Sequence, residues 1–137
     1  MEKGHITIKE NESNGFVVKA MLINDSLWLT KNEIADLFNT FVSTVGNNLL
    51  AIFKSGVLRE EDVSRVHLFE LNEKQCQTTL YSLEALIFVS YRIASFEAQA
   101  FRQFISFALR EHQQRKEIRE CTKQLEYFCK NQDYRLN

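Results

Sequence analysis

The chain of 137 residues contains no proline, and the last of its four glycines is Gly56. Proline and glycine are the residues that most often end or bend helices. Their absence beyond Gly56 predicts long uninterrupted helices in the C-terminal part and argues against a flexible linker, a collagen-like repeat or a long disordered tail. Eleven Phe within a 45% hydrophobic composition are enough for one core, and the length corresponds to about one domain.

The charge is nearly balanced overall but not along the chain. Seventeen Lys and Arg stand against eighteen Asp and Glu, a net charge of −1, which excludes a nucleic-acid-binding protein that is basic all round. Segment 28–58 holds two basic and two acidic residues, whereas segment 92–137 holds nine basic and six acidic residues, a net charge of +3. The excess of positive charge in the C-terminal segment leaves open a basic face that could follow a DNA backbone; a solvated helix face is the alternative.

The sequence carries no motif of catalysis, metal binding or membrane insertion. The N-terminus lacks the apolar segment of a signal peptide, and no apolar run reaches the roughly 18 residues of a membrane span. The cysteines (Cys76, Cys121 and Cys129) lack zinc-site spacing, and the three histidines are scattered. We therefore expect a cytoplasmic protein with reduced cysteines, no cofactor or metal, no small-molecule substrate and no enzymatic activity.

Strand-like composition occurs in two pairs of segments. The pairs are 5–9 with 16–23, across a turn-rich stretch, and 66–71 with 77–81, across the polar link 72–75. Each pair predicts a β-hairpin. The charged stretch from Arg59 to Asp62 is predicted to be a loop that leads into the second hairpin.

Two short helical patterns lie between these hairpins. Thr30 and Glu33 have the spacing of a capping box, which predicts a helix over 31–38. The next helix is predicted from apolar residues at helical spacing: Phe41, Val45, Leu49, Ile52 and Phe53. Gly56 is its predicted stop. Two helices joined by three or four residues form a helix-turn-helix, and a hairpin directly after one builds a wing.

The remaining chain is predicted to be helical. Ser82 is a candidate cap for a helix from Leu83 to Tyr91, and Ser95 is a candidate cap for a longer one. Along the longer helix an apolar stripe occupies Phe101, Phe104, Ile105, Ala108 and Leu109. After a polar interruption a heptad-like stripe follows. The predicted fold class is α+β: an N-terminal β-hairpin, a winged-helix-like helix-turn-helix, a second hairpin as the wing, and a long C-terminal amphipathic helix.

Several blocks of sequence occur in a family-like order and spacing. They are Trp28-Leu29-Thr30, Ile34-Ala35-Asp36-Leu37-Phe38, Ser43-Thr44-Val45, Ile52-Phe53-Lys54-Ser55-Gly56, Tyr81-Ser82-Leu83-Glu84-Ala85-Leu86-Ile87, Tyr91-Arg92-Ile93, Ser95 and Phe101-Arg102-Gln103. Together they resemble the RhuM family of bacterial virulence proteins over roughly residues 16–115. The resemblance implies a cytoplasmic bacterial DNA-binding protein of a helix-turn-helix type found in phages and mobile elements. We accordingly expect a RhuM-like winged-helix domain over 1–115 and a C-terminal helical extension over 116–137.

The chain departs from this family at positions expected to face DNA. Where family members often carry Arg or Lys on the second helix, this sequence has Val42, Asn47 and Leu50. A basic segment of the family corresponds here to Ser95-Phe96-Glu97-Ala98. Because phosphate neutralisation supplies most non-specific affinity, these changes weigh against DNA binding.

The candidate nucleic-acid contacts are Thr40, Ser43, Thr44, Asn47, Asn48, Lys54, Arg92 and Arg102. Asn47 and Asn48 would read bases, since Asn pairs bidentately with adenine, and Ser43 and Thr44 would hold phosphate. The basic tail would add affinity through Arg102, Arg110, Arg115, Lys116, Arg119 and Lys123. The alternative is a solvated polar helix face and a solvated charged tail.

The candidate protein-interface residues are Val42, Leu50, Ile118, Cys121, Leu125 and Phe128. The second helix is apolar on more sides than one core contact needs, which is typical of an interface. The tail residues either pack back on the domain or form a dimer seam. We expect a DNA-binding regulator that acts as a homodimer, since one short helix reads few base pairs. The alternative is a protein-interaction module on a helix-turn-helix scaffold that has lost DNA binding.

Overall fold

The structure, a computed structural model, describes the backbone of residues 3–136 and side chains through residue 127. Within that range the fold is mixed α and β, with two antiparallel sheets and five helices. The strands are β1 (His5–Glu10), β2 (Phe16–Met21), β3 (Trp28–Leu29), β4 (Ser64–Leu71) and β5 (Lys74–Ser82). The helices are α1 (Lys31–Leu37), α2 (Val42–Ser55), α3 (Glu60–Val63), α4 (Leu83–Ser90) and α5 (Phe96–Leu136). This confirms the α+β class, the two hairpins and the long C-terminal helix.

The first sheet is the antiparallel pair β1 and β2, with His5 opposite Met21 and Glu10 opposite Phe16. The Asn11 side-chain oxygen accepts the Gly15 backbone N–H at 2.9 Å and thereby fixes the connecting turn. Strand β2 ends before the predicted limit of residue 23. The chain reverses there through Asn24 and Asp25, both at positive φ.

Helix α1 begins with the predicted capping box. The Glu33 N–H donates to Thr30 Oγ1 at 3.1 Å, and the Thr30 N–H donates to Glu33 Oε1 at 3.0 Å. Two of the N–H groups that would lack an intrahelical partner are satisfied in this way. Ile34 and Ala35 lie on the buried face of the helix.

Helix α2 follows after a short turn and ends at Gly56, as predicted, with Gly56 at φ 80°. Its buried face carries Val45, Leu49 and Ile52. The prediction that Phe41 shares the helical spacing of these residues is wrong: Phe41 precedes the helix in extended backbone, and 77% of it is exposed. An extended N-cap residue does not continue the helical rotation, so the spacing argument fails at this position.

Two local predictions between α2 and α4 are also corrected. The stretch predicted as a loop over Arg59–Asp62 overlaps the one-turn helix α3, whose first turn holds Glu60, Glu61 and Asp62. Acidic side chains at a helix N-terminus interact favourably with its dipole. The hairpin link is shorter than 72–75: only Asn72 and Glu73 separate β4 from β5, both at positive φ, as tight two-residue hairpin turns require.

The second sheet joins the segments before and after the helix pair. Its strand order is β3-β5-β4, with Leu29 opposite Tyr81 and Ser64 also opposite Tyr81 on the other side. The predicted cap Ser82 accepts the Ala85 N–H at 3.5 Å, and the predicted cap Ser95 accepts the Ala98 N–H at 3.1 Å.

The core lies between these elements and the start of α5. Phe38 and Phe101 are fully buried with ring centroids 5.6 Å apart. Large aromatic side chains in such a pair contribute buried area and a favourable tilted contact. The first turns of α5 therefore belong to the core.

The described chain forms two compact units that divide between Arg102 and Gln103. The second unit consists of α5 beyond Arg102, in which every residue from 106 to 127 is exposed. Among the residues described, no helix combines the length and the apolar character that crossing a membrane requires. The division at 115/116 drawn from the sequence stays a prediction.

The capping box creates a pH-dependent contribution to stability. Partial burial would raise the pKa of the Glu33 carboxyl, but hydrogen bonds from Lys3 Nζ and the Thr30 N–H, and the charge of Lys3, outweigh it and hold the pKa below its ordinary value near 4.5. A carboxyl whose pKa is lower in the folded chain stabilises the fold above its unfolded pKa. That contribution disappears as the pH falls through the folded pKa.

We predict that Glu33→Gln, which keeps the capping geometry, lowers the free energy of unfolding by about 0.5 kcal/mol near pH 7. The difference from the parent chain should shrink as the pH falls from about 5 to about 3. Urea unfolding followed by circular dichroism at several pH values measures it. Glu12→Gln, in the exposed turn of the first hairpin, controls for the loss of a carboxylate. A difference that stays constant across this range would contradict the assignment.

Candidate nucleic-acid interface

A polar groove lies between the starts of α1 and α2 and the strand β5. Its lining consists of Thr30, Lys31, Asn32, Val42, Gln77, Thr78, Thr79 and Tyr81. Lys31 Nζ lies 6.0 Å from the centre of the Tyr81 ring, a cation–π distance. Most of these side chains donate or accept hydrogen bonds, and Lys31 carries positive charge, so the groove suits an anionic, hydrogen-bonding ligand.

Tyr81 ties this groove to the second helix. Its ring stacks on Phe53 of α2 with centroids 6.5 Å apart. Burial raises the pKa of the Tyr81 phenol, and the negative charge of Glu60 raises it further. The phenol therefore stays neutral near pH 7 and adds no negative charge beside the groove.

The outward face of α2 holds three of the predicted contacts. Ser43, Asn47 and Lys54 are exposed and follow one another at helical spacing, with the exposed Leu50 between the last two. We call these four residues the outer α2 face. Its only charge is the single positive charge of Lys54, and it presents one hydroxyl and one amide that a base edge could contact.

Asn48 and Arg92, both predicted contacts, meet on a neighbouring side of α2. Arg92 Nε donates to Asn48 Oδ1 at 3.1 Å. This bond fixes the Asn48 amide and holds the guanidinium beside α2. Asn48 is half-buried, as is Thr44, whereas Asn47 is exposed. The two asparagines therefore differ: Asn47 is available to a ligand, and Asn48 positions Arg92.

Arg102 is engaged within the fold. Its Nη1 donates to the carbonyl oxygens of Ser90 and Ile93, the latter at 3.1 Å, and its guanidinium lies 6.0 Å from the Tyr91 ring centre. Carbonyls at the end of a helix have no intrahelical partner, and a cation there also complements the helix dipole. Arg102 therefore stabilises the C-terminal end of α4.

Thr40 belongs to the turn between α1 and α2. Its backbone N–H donates to the Ala35 carbonyl oxygen at 2.9 Å, and the residue is half-buried. The neighbouring Asn39 adopts positive φ, which lets the chain reverse within four residues. Thr40 thus lies close to the start of α2, and its hydrogen bond to Ala35 helps to fix the turn that leads into this helix.

The predicted interface residues lie in separate units. Val42 is 43% exposed and Leu50 is 58% exposed in the first unit. In the second unit Ile118, Cys121 and Leu125 are exposed along one side of α5. Phe128, like Cys129, lies outside the residues whose side chains are described. The apolar side chains predicted to contact protein are therefore solvent-facing wherever they are described.

Sequence reasoning missed the contribution of β5 and of the first turn of α1. The sequence patterns predict Lys31 and Asn32 only as part of a helix and the run Gln77-Thr78-Thr79 only as part of a strand. The strand pairing of β3 with β5 brings them to one groove. The available signal was the unbroken polar run in a strand that follows a helix pair.

Nothing in the described part of the chain assembles a metal site: it holds no group of three or more His, Cys, Asp and Glu side chains that could bind an ion. No protein-family model, curated protein or solved structure matches the chain. The resemblance to the RhuM family and the absence of enzymatic activity therefore stay predictions.

We predict that Arg102→Gln lowers the free energy of unfolding by about 1 to 3 kcal/mol, because two carbonyl oxygens lose a charged donor. Lys54→Gln, which removes the same charge from an exposed helix position, should change it by less than about 0.5 kcal/mol. Urea unfolding measures the free energy of unfolding of both variants and of the parent chain. Equal effects would contradict a structural role for Arg102.

Proposed function

We propose that this chain is a DNA-binding regulator of the winged-helix type, similar to RhuM proteins, and that it acts in the bacterial cytoplasm as a homodimer without catalysis or cofactor. The observation that carries the proposal is the sheet order β3-β5-β4 around the helix pair. Strand β3 leads into the helices α1 and α2, and the hairpin of β4 and β5 follows them. Because β5 pairs with β3, this hairpin lies at the side of α2. That is the arrangement in which a second helix enters the major groove and a wing contacts the flank.

The outer α2 face supplies the reading surface. The major groove is about 12 Å wide and admits one helix. Asn47 has an exposed amide that can pair with the N6 and N7 positions of adenine, and Ser43 can hold a phosphate or a base edge. Lys31, Gln77 and Thr78 in the polar groove would then contact the backbone beside it.

Four of the ten Lys and Arg residues of the first unit, Arg102 among them, make contacts within the fold. Lys3 pairs with Glu33, Arg59 pairs with Glu61, and Arg65 lies over the Trp28 ring at 4.1 Å. The other six, Lys9, Lys19, Lys31, Lys54, Lys74 and Arg92, take part in none of the ion pairs found among the described side chains. We propose Lys31, Lys54 and Arg92 as the phosphate contacts of each copy because they lie on or beside the helix pair, and we leave Arg102 out of the interface.

We predict that the full chain binds a random-sequence 20-bp duplex with a salt slope, log Kd against log salt, of about 3 per copy. Lys31→Gln and Lys54→Gln should each reduce this slope by about 1. Lys19→Gln, the same charge change on the exposed side of β2, should leave it unchanged. Fluorescence anisotropy between about 50 and 200 mM salt measures the slopes. No binding at micromolar protein and 50 mM salt would overturn the proposal.

A second candidate function is supported by exposed apolar side chains beside the reading surface. Phe41 is 77% exposed and Val42 43%, both at the start of α2, and Leu50, about two turns further along the helix, is 58% exposed. Contiguous exposed apolar residues usually mark protein contacts, and they add nothing to phosphate binding. On this alternative the helix pair is a protein-interaction module that no longer binds DNA.

The variant Leu50→Lys separates the two candidates. If the outer α2 face contacts DNA, an added cation should raise the salt slope by about 1 and tighten binding severalfold at low salt. If that face binds protein, duplex binding should not change. Val57→Lys is the matched control, since Val57 is also 58% exposed but lies beyond the end of α2. An equal gain in both variants would show a non-specific charge effect and would count against the reading surface.

A further inference from the structure

An uninterrupted seven-residue pattern runs along one side of α5 in the second unit. Its members follow one another at alternating spacings of three and four: Phe104, Phe107, Glu111, Gln114, Ile118 and Cys121. We call these six residues the tail stripe. Such spacing gathers side chains into the a and d positions of a coiled coil. Apart from the half-buried Phe104 the stripe is exposed, with Phe107 at 55% and Ile118 at 64%.

The two central residues of the tail stripe, Glu111 and Gln114, are polar. Their polarity determines whether two copies of the stripe pair better in a parallel or in an antiparallel orientation. In a parallel pair each position faces its own counterpart. Glu111 would then face Glu111 of the second copy, and Arg110 would lie beside Arg115 of the second copy. Two carboxylates brought together away from water repel each other and lose hydration. The parallel arrangement is therefore unfavourable.

An antiparallel pair matches every layer formed by the six residues of the tail stripe. In one antiparallel register Phe104 of one copy faces Cys121 of the other, Phe107 faces Ile118, and Glu111 faces Gln114. The residue numbers of each facing pair sum to 225. The Gln114 amide can donate to the carboxylate of Glu111, so that the polar layers satisfy each other. In the same register Arg110 flanks Glu117 of the second copy, which gives two opposite-charge pairs per dimer.

We propose that the tail stripe is the self-association surface of this protein and that it pairs with a second copy in this antiparallel register. The occupant is a second copy because apolar layers meet apolar layers, the acid meets an amide, and the flanking charges are complementary. The inference deepens the dimer of the proposed function and rests on that part of it alone. DNA binding by a monomer would leave the proposed reading surface intact and refute only this pairing.

Disulfide crosslinking of the full chain tests the register. In a background of Cys76→Ser and Cys129→Ser, three variants are compared: Cys121 alone, Phe104→Cys with Cys121, and Phe104→Cys with Cys121→Ser. Within one helix, positions 104 and 121 lie about 25 Å apart, too far for an internal disulfide. Mild oxidation followed by non-reducing gel electrophoresis gives the crosslinked fraction, and circular dichroism verifies that each variant is folded.

The expected result is a covalent dimer from the variant with both cysteines and little from either single-cysteine variant. Crosslinking of Cys121 alone would indicate a parallel pair and would overturn the proposal. A monomer of the parent chain in sedimentation at about 100 µM, or a dimer in which the two-cysteine variant does not crosslink, would overturn it as well.

Charge reversal gives an independent measurement that does not depend on cysteine. Arg110→Glu or Glu117→Arg alone should weaken self-association about fivefold at low salt, because two attractive pairs become repulsive. The double variant should return to within about twofold of the parent chain. Sedimentation equilibrium measures the dissociation constants. Additive weakening in the double variant would contradict the Arg110–Glu117 pairing.

Discussion

The pairing of β3 with β5 is the contact on which the rest of the first unit depends. It joins Trp28 and Leu29 to Tyr81 and Ser82, and thereby closes the segment that contains the helix pair. Only two residues of β3 take part, but both are buried, so the closure is stabilised by apolar burial as well as by hydrogen bonds. Helix α1 starts directly after β3, and α4 starts directly after β5, each with a side-chain cap. The pairing of β3 with β5 thus fixes the positions at which α1 and α4 begin.

Several cations outside the helix pair stabilise the fold. Arg65 lies against Trp28, Arg102 donates to carbonyls near the end of α4, and Lys3 supports the capping box. These side chains stabilise the fold through contacts that a ligand would have to break. The positive charges that remain near α2 are few, so contacts to base edges, rather than phosphate attraction, would have to supply much of any specific affinity.

The features predicted correctly from sequence are those decided within a few residues. The Thr30–Glu33 capping box, the stop at Gly56 and the cap at Ser82 depend on local backbone geometry, and the structure contains all three. The features missed depend on distant contacts. Arg102 looks like a phosphate ligand until the end of α4 is placed beside it, and the polar groove exists only because β5 returns to β3. Phe41 fails for a different reason: helical periodicity does not apply to an N-cap residue.

If the outer α2 face reads DNA as proposed, its near neutrality makes self-association important. Each copy would offer a small number of phosphate contacts, so a single copy would bind weakly and with little sequence information. Joining two copies converts the second contact into an intramolecular one, whose effective concentration can reach the millimolar range. The proposed self-association surface could then evolve separately from the proposed reading surface, because the two lie in different compact units of the chain. On this view the long proline-free C-terminal helix compensates for the low positive charge of the helix pair, because it brings a second copy of the outer α2 face to the DNA.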